Sequence, residues 1–144
     1  MNTLKNKIKY HRYGNLYHQP HFFILNKGLN TGKPLANWCP NCFVFLADTP
    51  KEREHFYTLC KALWHGGYFR SLLIGSVIPY IRLDEFTLAL HHANINLNQD
   101  PDKLIKIIHY FNELDKQEES LKKQFTLIHQ VRQMMVQKML KKQL

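Results

Sequence analysis

Cys39-Pro40-Asn41-Cys42 has the spacing of one half of a zinc knuckle. Zinc takes four thiolate or imidazole ligands, and no second pair follows at a readable spacing. Cys60 stands alone, and beyond it the histidines offer only the adjacent His91-His92. The pair therefore reads as a tight turn with ordinary thiols, and a three-Cys, one-His site is the alternative. A redox pair would sit after a strand at a helix N-terminus, whereas Cys42 opens a strand. Gly28-Leu29-Asn30-Thr31-Gly32-Lys33-Pro34 imitates a phosphate loop but has three residues between its glycines where four are needed, and Pro34 where Ser or Thr would hold magnesium. Carboxylate chemistry would have to draw on Asp48, Glu52, Glu54, Asp84 and Glu85, of which Glu52 and Asp84 are already explained by helix capping. The expectation is a protein that is not an enzyme and carries no cofactor.

The cations give a stronger signal. Of a formal charge of +9, residues 1–47 contribute six basic side chains, Lys5, Lys7, Lys9, Arg12, Lys27 and Lys33, and no acidic one. Tyr10, His11, Tyr13, Tyr17, His18, His21, Phe22 and Phe23 are interleaved with them. Such a mixture suits phosphate contact together with base or sugar packing; the competing reading is a solvated basic surface whose aromatics lie in the core. With three cysteines and an N-terminus without an apolar run, the expectation is a cytoplasmic protein. No stretch reaches the roughly 18 apolar residues of a membrane span, so no membrane partner is expected.

The elements that position these residues are marked by turn formers. The runs 21–26 (HFFILN) and 42–47 (CFVFLA) read as buried strands, separated by a loop over 27–41. Thr49-Pro50-Lys51-Glu52 is a capping box that opens a helix burying Phe56, Leu59, Cys60, Leu63 and Trp64, stopped by Gly66-Gly67. A short helical piece over 68–74 ends at Gly75, and Val77 to Leu83 suits an edge strand despite Pro79. Asp84 is expected to cap a third helix ending near Asn94, with Phe86, Ala89, Leu90 and Ala93 inward, and 94–100 to be a polar linker. The fold class is α/β (α+β): a small mixed sheet, two or three short helices and a long C-terminal helix. The organisation is a basic head over 1–98 and an amphipathic helix over 99–144.

That last helix follows from a heptad stripe. Leu104, Ile107, Phe111, Leu114, Leu121, Phe125, Ile128, Met135 and Met139 recur at spacings of three and four, interrupted only by Glu118 and Arg132. Asp100 and Asp102 sit at its start and Lys138, Lys141 and Lys142 at its end, matching the helix dipole. The stripe meets either a second helix, in a homodimer or with a partner, or the chain's own head.

From Tyr57-Thr58-Leu59 through Tyr68-Phe69-Arg70-Ser71 and Leu73 to Phe86 (LIGSVIPYIRLDEF), then Phe111-Asn112-Glu113-Leu114-Asp115-Lys116-Gln117 and on to Gln137-Lys138-Met139-Leu140, the chain resembles one target-recognition half of the specificity subunit of type I restriction-modification systems. It also resembles an uncharacterised family of short bacterial proteins carried on mobile elements, which implies no activity. The first resemblance implies non-catalytic DNA binding, with Lys27, Lys33, Arg70 and Arg82 on phosphates or base edges and Gly75-Ser76 at a turn that lets the backbone approach the duplex. The proline-rich run and Glu-Gln that open the long helix in that family are replaced here by Leu97-Asn98-Gln99-Asp100-Pro101, and the second recognition half is absent. Two-part reading of a target would then need a dimer. The alternative is a protein-interaction module of a mobile element that uses the C-terminal helix and binds no nucleic acid.

Overall fold

The computed structural model describes residues 2–141; the expected last-turn cation Lys142 lies outside them. A short helix α1 (Asn2–Lys5) leads into β1 (Ile8–Tyr10), β2 (His21–Leu25), β3 (Pro34–Leu35) and β4 (Cys42–Leu46). Helix α2 (Pro50–His65), a 3-10 helix (Tyr68–Leu72), α3 (Leu83–Asn98) and α4 (Pro101–Lys141) follow. The chain divides into two units, Met1–Ile108 and His109–Leu144. None of the described helices is long and apolar enough to cross a membrane.

The α/β class expected from the sequence is what forms. Its sheet has the order β1-β4-β2-β3 and is antiparallel at every pairing, a narrower arrangement than a mixed sheet. Because side chains alternate across a pleated strand, the register sorts them onto two faces. Ile8, Phe45 and Phe22 align across three strands, as do Tyr10, Phe43 and Ile24. This face is the main core. Phe45 packs between Phe22 (5.1 Å) and Phe56 of α2 (4.8 Å), and Phe86 of α3 bridges Phe43 (5.6 Å) to Phe69 of the 3-10 helix (5.1 Å). Lys9, Val44, Phe23 and Leu35 align on the other face, where Phe23, Cys42 and Val44 form a smaller buried cluster against Tyr17, Leu35, Cys39 and Leu46.

Helix α2 begins as its sequence demands: Thr49 Oγ1 accepts from the Glu52 N–H (3.1 Å), with Pro50 in the first turn. Glu52 turns back one residue further than the capping box requires and accepts from the Asp48 N–H (2.7 Å). Its other oxygen binds Lys7, which also reaches Asp48 at 2.7 Å. One of the six N-terminal cations is thereby neutralised within the fold.

Several local expectations are corrected. Val77 to Leu83 is not a strand. Gly75 (φ +99°) reverses the chain, Pro79 has no N–H to offer a ladder, and Tyr80 alone makes isolated bridges, to Lys27 and to Ile74, the latter with each N–H to the other's carbonyl at 2.9 Å. Asp84 does not cap α3; Arg82 holds that position without a side-chain cap, while Asp84 accepts from the adjacent Glu85 N–H. The helix also runs on to Asn98, through most of the segment expected as a linker. The short elements α1, β1 and β3 carry too few residues for a readable period.

Candidate nucleic-acid interface

The loop from Lys27 to Lys33 organises the cationic side chains. At its start, Lys27 pairs with Tyr80 in an isolated bridge, the Gly28 N–H donates to the Pro79 carbonyl (2.7 Å), and the Ile81 N–H donates to the Asn26 carbonyl (3.2 Å). Tyr80 in turn pairs with Ile74. These bonds hold the 74–82 segment, with Gly75, Ser76 and Arg82, beside Lys27, and all four are exposed. Gly75 is required: a Cβ there would lie 2.8 Å from the Ile78 carbonyl oxygen, at a φ that L residues avoid.

At its other end the loop folds over the C-terminus of α2. Gly28 and Gly32 take positive φ, and the buried Thr31 hydroxyl donates to the Gly28 carbonyl. Gly32 lies flat on the Phe69 ring, so close that a Cβ would meet it at 2.2 Å. The Lys33 ammonium rests over the Trp64 ring, 5.1 Å from its centroid, a cation–π contact that leaves the charge half-exposed. Between loop and helix lies a cleft of about 150 Å3 lined by Leu29, Asn30, Thr31, Trp64, His65, Gly67, Phe69 and Arg70. No carboxylate lines it.

The six residues expected at nucleic acid are linked through one loop: Arg70 in the cleft wall, Lys33 over the ring of Trp64, which also lines it, and Lys27, Gly75, Ser76 and Arg82 at the paired segment. Arg82 is the weakest member, since Asp84 and Glu85 follow it in the first turn of α3. Trp64 and His65 belong to this site and were not foreseen; the apolar periodicity of α2 assigned Trp64 to the core, and nothing local marks its approach by a lysine 31 positions earlier.

Cys39 and Cys42 form a turn. The Cys42 thiol donates to the Cys39 carbonyl (3.0 Å) and the Cys39 thiol to the Asn41 carbonyl (3.6 Å). Burial pushes the Cys42 thiol up to about 11, and it pushes the Cys60 thiol up as well. Neither buried thiol is poised as a thiolate ligand or nucleophile. Among the described residues no three His, Cys, Asp or Glu side chains gather in a way that could hold a metal ion.

Along α4, Leu104 is buried in the core of the first unit. Ile107 and Phe111 are half-buried, while Leu114, Leu121, Phe125, Ile128, Met135 and Met139 are more than half exposed. The stripe thus starts as core and continues as an exposed apolar surface.

A model of a family of unknown function, DUF6943, matches residues 8–138. That span takes in all four strands and most of α4. No curated protein and no solved structure matches the chain.

Proposed function

The chain belongs to DUF6943, a family whose function is unknown, and we propose that this member binds DNA without catalysing a reaction on it and associates through α4. The observation that carries the reading is the assembly of Lys27, Lys33 and Arg70 around one glycine-shaped loop beside a cleft with no carboxylate in its wall. Cations held in this way meet phosphates without a competing internal acid. The resemblance to a target-recognition half of a type I specificity subunit supports the same class of ligand, and Gly75 and Ser76 stand at an exposed turn. Helix-mediated association is supported by the exposed apolar stripe, because side chains of this size left in water mark a surface built to be covered.

The test is a titration of labelled duplex DNA with the full chain and with a Lys27→Ala, Lys33→Ala, Arg70→Ala variant. The expected result is a loss of at least tenfold in affinity, since three phosphate contacts are removed. Equal binding by both proteins would refute the cleft as the interface. Absence of binding by either, together with a stable helix-mediated dimer, would favour the interaction-module reading.

A further inference from the structure

The sheet face turned away from α2 and α3 is not bare. The segments before β2 and before β4 lay a continuous set of rings over it. His11 contacts Phe23 (5.1 Å) and Trp38 (5.7 Å), Tyr13 meets Trp38 edge-on (5.4 Å), and Tyr17 contacts His21 (5.4 Å). The His11 imidazole also shares a hydrogen bond with the Tyr17 hydroxyl (3.1 Å), and Lys9 lies over the Tyr17 ring at 5.7 Å. This lower tier is anchored on buried Phe23 and Val44.

Its upper tier is open. Tyr13 is 86% exposed and Trp38 48% exposed. Burying both rings against the sheet would remove apolar surface from water and stabilise the fold, yet the fold leaves them exposed. The cations of this segment are exposed: Lys9 lies over Tyr17, Arg12 adjoins Tyr13 in the chain, no acidic residue occurs before Asp48, and Asp48 is already paired with Lys7. Exposed rings flanked by cations without acids match a chain that alternates phosphates with flat aromatic groups. In a duplex those flat groups are stacked on one another and offer no face to an outside ring. Unpaired nucleotides do.

We propose that this outer face of the sheet binds single-stranded nucleic acid, with bases stacking on Tyr13 and Trp38 and the phosphates meeting Lys9 and Arg12. The site is separate from the loop and cleft assigned above and goes beyond them. The DNA would engage the Lys27, Lys33 and Arg70 surface as duplex, and an unpaired strand would engage the rings.

The test uses the full chain and a labelled 15-nucleotide oligothymidylate, with a duplex of equal length as the comparison. Single strand should quench tryptophan emission saturably, and the quench should disappear in Trp38→Leu, which retains Trp64. Tyr13→Ala should weaken single-strand binding about tenfold and change duplex affinity by less than about twofold. Tyr13 is nearly fully exposed, so this variant keeps the test valid should Trp38→Leu disturb the fold. Unchanged single-strand affinity in Tyr13→Ala, or a quench that survives in Trp38→Leu, overturns the proposal. Duplex binding that depends on Lys27, Lys33 and Arg70 with no single-strand binding overturns this inference alone, whereas failure to bind either form overturns both.

Discussion

At the scale of single residues, the chemistry of this chain lies in contacts between positions far apart in sequence. Lys33 on Trp64, Gly32 on Phe69 and Lys7 between Asp48 and Glu52 each join distant segments. For Lys7, burial is the largest single influence and pulls the ammonium's pKa down, but its hydrogen bonds to Asp48 and Glu52 outweigh it and leave the value raised. Gly32→Ala should cost about 2–3 kcal/mol, because the new methyl collides with Phe69 at a φ of +93°; chemical denaturation reads the loss directly. His11 provides a pH prediction. Burial, and then the neighbouring His21, hold its pKa below the ordinary 6.5, and its buried Nε2 has no partner among the described residues. A depressed pKa means that the unfolded chain takes up the proton first, so stability is full above about pH 6.5 and declines as pH falls below it. Unfolding free energies at about pH 7.5 and about pH 5.5 should show the decline, with a shallower slope in His11→Phe. The cations themselves were legible in the sequence. Their partners were not, because pairing across 31 or 41 residues is a property of the folded chain.

At the scale of elements, legibility followed the strength of the local signal. The strands at 21–25 and 42–46 and helix α2 were readable because aromatic runs and a capping box are self-contained. Thr49→Ala should therefore cost about 1 kcal/mol, the usual value of a lost N-cap, measurable as a lower midpoint of thermal unfolding. The run from Val77 to Leu83 misled because an apolar, β-branched composition implies burial, whereas Val77 is 89% and Ile78 61% exposed at the tip of a Gly75 turn. In α4 the period of the stripe was readable, and its ion pairs Glu113–Lys116, Glu118–Lys122 and Glu119–Lys123 support the helix locally. Glu118 and Arg132 share the heptad position of Phe111 and Phe125, so a parallel self-pairing would set Glu118 against Glu118 and Arg132 against Arg132 in its seam. Arg132→Leu should tighten such a dimer severalfold, which sedimentation reads, and an unchanged dimer would exclude the parallel arrangement.

At the scale of the whole molecule, the proposed interface works by charge meeting charge. A net +9 is by itself only a statement about solubility and non-specific attraction; what gives it direction is the grouping of Lys27, Lys33 and Arg70 about one loop, and of Lys9 and Arg12 beside exposed rings. The sequence showed the imbalance before residue 48 but could not show that Lys7 is consumed internally. The most direct measurement is the salt dependence of duplex binding by the unaltered protein. With about three phosphates neutralised, affinity should fall roughly 40-fold between about 50 and about 200 mM monovalent salt, a log–log slope near ~−2.7. A slope near zero, or no duplex binding at the lower salt, would contradict the claim that this cationic surface is a nucleic-acid interface.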